Sequence, residues 1–363
     1  MAGEPAAAGD ITGAASTSTV EGALAVLPGP RAEQPGLEHE WQRAVAAIVR
    51  APVIDLICHI NPDGDALGSA LAAGLALRSL GHQVRVSFGD HPQVIPQSLS
   101  FLPGQELLVP AAEVPDVPEL VVCFDVAAES RLGLLHDKAF AAPVLVVIDH
   151  HASNPGFGTH RLIDPAAPAT AVLVDELLRR LGVPLDQQLA TCLYTGVATD
   201  TGSFRYAATT PATHELAGRL LATGIRHDEI SRQLWDTSSF GYLKVLAAAL
   251  DRARYEPEQA GGRGLVWTWV PYQDLVLYSV TVEELEGLID VVRRAAEAEV
   301  ALVLKQDPDG TLRGSSRSRG AVDVAAACAE LGGGGHVYAA GFAVREDVAA
   351  AVDRFRAALD RTS

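Results

Sequence analysis

Three short apolar segments, each followed at once by an acidic or imidazole side chain, constrain the fold of this chain most strongly. They cover residues 53–58, 120–124 and 144–148, and helical patterns lie between and beyond them. Short apolar segments that alternate with amphipathic helices are typical of buried parallel strands joined by right-handed crossovers. The sequence therefore predicts an α/β fold with a mostly parallel, doubly wound sheet that has helices on both faces.

The chain pattern further predicts a tail, two domains and a linker. Residues 1–38 are rich in Ala, Gly, Pro, Ser and Thr, a composition typical of disorder. The first domain is predicted over 39–254, where helical patterns continue up to a last, long one at 227–254. The Pro/Gly-rich segment 255–264 is predicted to be a linker. Strand and helix patterns beyond it predict a smaller α+β domain over 265–363.

Composition limits the partners of the chain. It has 28 Lys and Arg against 45 Asp and Glu, a formal net charge of −17. A surface this acidic argues against binding long nucleic acid, so a phosphate-bearing substrate should be small and held by a local basic site or metal ions. Four dispersed cysteines without a C-x-x-C pair indicate reduced thiols in a cytoplasmic protein. No basic residue precedes Arg31 and no apolar run could cross a bilayer, so neither a secretory signal nor a membrane partner is predicted.

Acids and imidazoles gather at the ends of the predicted strands. They are His59, Asp63, Asp65, Asp125, Asp149, His150 and His151. The carboxyl ends of parallel strands share one edge of a sheet, where ligands bind. Singly, these residues have ordinary alternatives, since Asp65 could be a helix N-cap and a lone Asp a turn former.

Burying so many acids at one edge is costly without cations, because like charges repel and each loses its hydration. Mixed imidazole and carboxylate ligands suit Mn²⁺ better than Mg²⁺ or Ca²⁺. A carboxylate shared between two ions would give the two-metal arrangement that serves phosphoester hydrolysis. Asp200, where a predicted helix ends before a glycine turn, is a further candidate ligand.

A second constellation lies in the smaller domain. Arg317 offers the planar fork that binds a terminal phosphate, and four glycines at 332–335 precede His336. Exposed N–H groups in the glycine run, including those of Gly334 and Gly335, and a following helix N-terminus would attract anions. The alternative is a helix C-cap and turn, with His336 an incidental neighbour.

Taken together, the order and spacing of these motifs resemble the DHH phosphoesterase family, in its nanoRNase/pAp-phosphatase branch, over roughly residues 40–360. The resemblance implies that His59, Asp63 and Asp125 hold one metal ion. It implies a second ion on Asp125, shared with the first, and on Asp65, His150 and Asp200. Two Mn²⁺ ions are expected, with Mg²⁺ or Co²⁺ as possible substitutes.

The resemblance also implies roles for the remaining site residues. Asp149 would orient its neighbours and His151 would contact the scissile phosphate. Arg317 and His336, with the glycine run, would bind a substrate phosphate. The implied reaction is in-line hydrolysis of very short oligoribonucleotides and of the 3′-phosphate of adenosine 3′,5′-bisphosphate (pAp), by a homodimer that associates through the first domain.

Other functions stay open at this point. The same site could act on cyclic di-AMP or on linear pApA, depending on base-stacking surfaces for which Phe204, Tyr206 and Tyr338 are candidates. These aromatic residues could equally be packing residues. A manganese inorganic pyrophosphatase would share the first-domain ligands but not the glycine run with Arg317. A RecJ-type exonuclease should be longer, and a nucleotide sensor with a degenerate site would lack the full ligand set.

Overall fold

The computed structural model describes residues 35–362, except for the side chains of Pro35, Glu283 and His336. The tail prediction therefore lies, up to residue 34, outside the described residues. The helices are α1 (Pro35–Arg50), α2 (Gly64–Ser79), α3 (His136–Ala141), α4 (Thr170–Leu181), α5 (Gln187–Asp200), α6 (Pro211–Leu221), α7 (His227–Trp235), α8 (Phe240–Arg252), α9 (Gln259–Gly262), α10 (Tyr272–Tyr278), α11 (Leu288–Val292), α12 (Val324–Glu330) and α13 (Val348–Thr362). The strands are β1 (Val53–Cys58), β2 (Gln83–Phe88), β3 (Val121–Phe124), β4 (Leu145–Asp149), β5 (His160–Ile163), β6 (Arg254–Glu256), β7 (Leu265–Val270), β8 (Val300–Gln306), β9 (Leu312–Ser318), β10 (Gly334–His336) and β11 (Ala339–Val344).

The first sheet has five parallel strands in the order β2-β1-β3-β4-β5. In the register of its centre, Ile57 pairs with Cys123 and Cys123 with Val147, so β1, β3 and β4 end side by side. Helices α1, α2, α4 and α5 cover one face. A 3₁₀ helix at Glu129–Leu135 and α3 cover the other. The prediction of a parallel sheet with both faces covered is confirmed.

The second sheet has six strands in the order β10-β11-β9-β8-β7-β6. Its β7 and β8 are parallel, and its other neighbouring strands are antiparallel. Helices α9, α12 and α13 pack on one face, and α8, α10 and α11 pack on the other. This arrangement confirms the prediction of an α+β fold for the second part of the chain.

The predicted helix over 227–254 is two helices, α7 and α8. The segment between them, Asp-Thr-Ser-Ser, is rich in residues that cap helices. Ser239 is the N-cap of α8, and its hydroxyl accepts a hydrogen bond of 3.0 Å from the backbone N–H of Tyr242. One helix was predicted here because the helical spacing of apolar residues continues across these capping residues.

The predicted linker at 255–264 also needs correction. Strand β6 pairs with β7, and α8 packs against the second sheet through Val245 and Ala249. The Pro/Gly-rich segment therefore connects elements of the second sheet. We propose that the domain boundary lies between α7 and α8, at 236–239.

Strand β5 was not predicted. Its four residues, His-Arg-Leu-Ile, include two basic side chains and form no apolar run that could mark a strand. It is the edge strand beside β4, and only alternate side chains along it, those of His160 and Leu162, are buried.

Candidate metal centre and domain cleft

Asp125 lies at the centre of the predicted site, directly after β3. It is 2% exposed, and its φ of +60° places its backbone in the left-handed region. Its Oδ2 lies 3.6 Å from Nε2 of His59. Its Oδ1 lies 3.5 Å from Nε2 of His150 and 3.6 Å from Nδ1 of His151. The two oxygens of this carboxylate therefore face different imidazoles.

Around Asp125 the structure brings together the side chains predicted to be metal ligands, and with them His151, which was predicted to contact the phosphate. Three groups have ligand atoms within 4.8 Å of one another: Asp125, His150 and His151; His59, Asp63 and Asp125; and Asp65, His150 and Asp200. Two of the groups share Asp125, and two share His150. The site is thus continuous, with room for more than one cation among its donors.

Two of these acids lie at the start of α2 and have different hydrogen-bonding roles. Asp63 is the N-cap of α2, and its carboxylate accepts hydrogen bonds of 3.0 Å from the N–H groups of Asp65 and Ala66. The alternative of Asp65 as the N-cap is therefore wrong, and the helix begins earlier than expected. Asp65 is instead fully buried, and it accepts hydrogen bonds from the N–H groups of Thr170, at 2.6 Å, and Ala171, at 2.8 Å.

Hydrogen bonds orient each imidazole. Nδ1 of His59 lies 2.8 Å from the carbonyl of Ile60, and Nδ1 of His150 lies 3.1 Å from that of Ala167. In the tautomer that donates from Nδ1, Nε2 of each residue carries the lone pair that a metal ion would use. Nε2 of His150 lies 2.9 Å from Oδ2 of Asp200 at the end of α5.

Asp149 is buried and holds the neighbouring loop in place. Its Oδ1 accepts hydrogen bonds from Nδ1 of His151, at 2.7 Å, and from the N–H of His150, at 2.8 Å. Its Oδ2 accepts one of 2.6 Å from the amide of Asn154. Burial would raise the pKa of Asp149, but the bonds to His151 and Asn154 lower it.

The electrostatics of the site favour added positive charge. Burial would lower the pKa of His59 and of His150, but hydrogen bonds and charges of the surrounding carboxylates raise both to about 10. Burial and the charge of Asp125 raise the pKa of Asp65 well above its usual value. Burial raises the pKa of Asp200 to about 6, against the hydrogen bond from His150. Divalent cations would relieve this repulsion, so the donor set fits metal ions.

A cavity of about 440 Å³ separates this cluster from the second sheet. On the first-domain side it is lined by His59, Asp63, Asp125, Ala127, Arg131, His151 and Asp200. On the other side it is lined by Ser315, Arg317, Gly334, Ala339, Ala340 and Gly341. Two of the predicted substrate-binding residues, Arg317 and Gly334, therefore face the candidate ligands across one cleft.

The glycine run has a different structure from the one predicted. The N–H of Gly332 donates to the carbonyl of Ala329 and that of Gly333 to the carbonyl of Cys328, both at 2.9 Å, which ends α12 in a C-cap. Gly334 and Gly335 then enter β10, and the next helix starts only after β11. The prediction of a helix N-terminus after the glycines is wrong. The side chain of His336 lies outside the part of the chain that the structure describes.

The three candidate stacking residues differ in their surroundings. Phe204 is half-buried against the first core and stacks on His214 with ring centroids 5.2 Å apart. Tyr206 and Tyr338 are 44% and 51% exposed. Packing therefore accounts for Phe204, whereas Tyr206 and Tyr338 stay candidates for stacking on a base.

Sequence reasoning missed two residues of the site. The hydroxyl of Thr170 donates a hydrogen bond of 2.8 Å to Asp125. Arg131 lines the cleft, with its guanidinium 2.8 Å from Nδ1 of His59. Neither residue adjoins a strand-end motif, so nothing in their local sequence connects them to the site.

Comparisons with known proteins agree with this geometry. The model of the DHH family's N-terminal domain matches residues 54–197, and that of the DHHA1 domain matches residues 272–362. The bifunctional oligoribonuclease and PAP phosphatase NrnA of Thermus thermophilus is 33% identical over 304 residues, which are 83% of this chain and 88% of that protein. This chain belongs to the DHH family. It is a metal-dependent hydrolase of phosphoester bonds, as that membership entails.

Two further relatives extend the comparison. The Bacillus subtilis protein of the same name as the Thermus relative is 25% identical to this DHH family member, over 79% of this chain and 87% of its own length. An exopolyphosphatase-related protein from Bacteroides fragilis has the same fold, with a TM-score of 0.82 over 89% of this chain and 96% of its own, at 24% identity. No helix in residues 35–362 is long and apolar enough to span a membrane.

Proposed function

We propose that this DHH family member hydrolyses very short oligoribonucleotides and the 3′-phosphate of pAp with two Mn²⁺ ions in the candidate centre. The observation that carries the proposal is the position of Asp125, whose two oxygens face separate groups of donors. A buried carboxylate shared in this way suits two cations that act on one phosphate.

The residues of the centre would divide the work. His59, Asp63 and Asp125 would hold one ion. Asp125 would also contact the second ion, which Asp65, His150 and Asp200 would hold. Bound divalent ions would lower the pKa of water and neutralise charge on the phosphoryl oxygens. Asp149, which bonds His151 through Nδ1, would direct the other ring nitrogen of that imidazole to the phosphate.

The cleft supports a short substrate. Its second wall contributes Arg317, a half-buried arginine whose Nη1 donates to the carbonyl of Ser316 at 3.0 Å. With a net charge of −17, the rest of the surface offers little to a long polyanion. A ligand that enters with one phosphate between Asp125 and Arg317 would therefore gain most of its affinity inside the cleft. The names of the Thermus and Bacillus relatives support oligoribonucleotides and pAp as such ligands.

A substrate panel tests the proposal. Purified protein with Mn²⁺ is incubated with pAp, a dinucleotide, a 24-nucleotide RNA, cyclic di-AMP and pyrophosphate, and the products are separated by chromatography. We expect rapid hydrolysis of pAp and of the dinucleotide, and slow hydrolysis of the long RNA. Preferential hydrolysis of cyclic di-AMP or of pyrophosphate would contradict the proposed substrates.

The choice of ion, the assembly and the location are also part of the proposal. Mixed imidazole and carboxylate donors favour Mn²⁺, and a series with Mg²⁺, Co²⁺ and Zn²⁺ tests this preference. A homodimer is expected, which light scattering of the purified protein would measure. All four cysteines are buried free thiols, which supports a reducing compartment such as the cytoplasm.

A further inference from the structure

Among residues 35–362, Arg131 is the one arginine that lines the first-domain wall of the cleft. It belongs to the 3₁₀ segment Glu129–Leu135, which packs against the end of β1. The N–H of Ile60 donates to the carbonyl of Arg131 at 2.9 Å. A Cβ at Gly133 would lie 2.5 Å from the side chain of Ile60, so the segment and the His59 loop are in close contact. The backbone of Arg131 is therefore fixed beside the candidate centre.

The guanidinium of Arg131 has no acidic partner among residues 35–362, since no carboxylate there lies within ion-pair distance of it. Its contact is Nδ1 of His59, at 2.8 Å. An unpaired, half-buried arginine is unusual in a chain with 45 acidic residues, most of whose arginines form ion pairs. Such a group is available to an anion.

The contact with His59 does not hold the guanidinium of Arg131 by a hydrogen bond. Nδ1 of His59 also lies 2.8 Å from the carbonyl of Ile60, with which it can form a hydrogen bond only by donating its own proton. Nδ1 can then accept nothing from Arg131. The guanidinium of Arg131 is thus not held by His59, and it is available to an anion in the cavity that it lines.

We propose that Arg131 is a substrate-contacting residue, which binds a nonbridging phosphate oxygen in the cleft. The inference rests on the proposed function, because it takes a phosphoester as the substrate. Arg131 and Arg317 then approach the substrate from opposite walls.

The test measures binding of adenosine 5′-monophosphate by calorimetry, with and without Mn²⁺, together with Mn²⁺ binding and the kinetics of pAp hydrolysis. The variants are Arg131→Ala, Arg131→Lys and, should the alanine variant fail to fold, Arg131→Gln. Arg254→Ala, an exposed arginine outside the cleft lining, is the control for the change in net charge.

We expect Arg131→Ala to weaken binding of the monophosphate to the Mn²⁺-loaded protein by about ten- to a hundredfold, the range for a charge-assisted hydrogen bond. Arg131→Lys should fall between it and the unaltered protein, and Mn²⁺ affinity should change less than about twofold. Unchanged monophosphate binding would overturn the inference. A parallel loss of Mn²⁺ affinity would also overturn it, since Arg131 would then act through His59. Failure of the unaltered protein to hydrolyse pAp or a dinucleotide would instead overturn the proposed function.

Discussion

The side chain of Asp125 is the only carboxylate among residues 35–362 that belongs to two of the ligand groups. Its left-handed φ of +60° turns the chain sharply after β3 and brings both oxygens into the cluster. Asp and Asn tolerate this conformation better than other residues with a Cβ. A conservative replacement is therefore available that keeps the backbone.

We predict that Asp125→Asn lowers the rate of phosphoester hydrolysis by about a thousandfold or more, because the shared negative charge between the ions is lost. The thermal midpoint should change little. Asp228→Asn, an exposed carboxylate paired with Arg226 at 2.9 Å, is the control and should keep full activity. Hydrolysis by Asp125→Asn at the rate of the control would contradict the role of Asp125.

The imidazoles predict a pH dependence of metal binding. With their pKa raised to about 10 by the carboxylates, His59 and His150 carry an extra proton at neutral pH in the metal-free protein. Only the neutral ring binds a metal, so binding must release these protons. Affinity for Mn²⁺ should rise from about pH 6 to about pH 9, by about tenfold per pH unit for each proton released.

Calorimetry in buffers of different ionisation enthalpy measures this release directly. We expect the observed heat to vary with the buffer in proportion to about two protons. Heats that are the same in every buffer would show that the imidazoles are neutral before the metal binds, or that they do not bind it.

At the scale of elements, glycines set the separation of α2 and α5. A Cβ at Gly68 would lie 2.5 Å from the carbonyl oxygen of Cys192 in α5. One at Gly196 would lie 2.7 Å from Oδ1 of Asp65. The two helices can therefore approach closely enough for Asp65, at the start of α2, to lie in one ligand group with Asp200, at the end of α5.

We predict that Gly68→Ala lowers the free energy of unfolding by about 1–3 kcal/mol through overpacking and weakens Mn²⁺ binding. The matched control is Gly218→Ala on α6, where no heavy atom lies within 4 Å of the added Cβ. That variant should gain about 0.4–1 kcal/mol. Urea denaturation measures both, and a Gly68→Ala protein as stable as the control would contradict the close packing of α2 on α5.

The elements also show how far the sequence predicts this molecule. Buried parallel strands are continuous apolar runs, so β1, β3 and β4 and the imidazole or acidic side chains at their ends were predictable. β5 was not, because an edge strand of four residues has too short a pattern. The second-sheet role of 255–264 depends on tertiary packing, which local composition does not report, whereas the division of 227–254 follows from the local N-cap at Ser239.

In the site, most of the predicted residues lie at strand ends, whereas the missed ones are placed by tertiary packing. The candidate ligands follow strands whose ends must meet, so topology alone brings them together. Thr170 and Arg131 reach Asp125 and His59 from segments that topology does not direct to the centre. Their positions follow only from the packing of α4 and of the 3₁₀ segment against the sheet.

At the scale of the whole molecule, the cleft exists because the second sheet presents β9 and β11 to the candidate centre. We predict that Arg317→Ala raises the KM for pAp by about ten- to a hundredfold, with a smaller effect on kcat, because it removes phosphate binding. Arg313→Ala is the control, since Arg313 lies on the same face of β9 but pairs with Asp307 at 2.6 Å. A KM for Arg317→Ala equal to that of the control would contradict capture of a phosphate by the second domain.

The most direct measurement is anomalous diffraction at the manganese edge from crystals grown with MnCl₂. We predict two peaks in each chain, about 3.5–4 Å apart, with the carboxylate of Asp125 between them. One of these ions should contact His59 and Asp63, and the other His150 and Asp200. A single peak, or peaks away from these side chains, would contradict the two-metal centre.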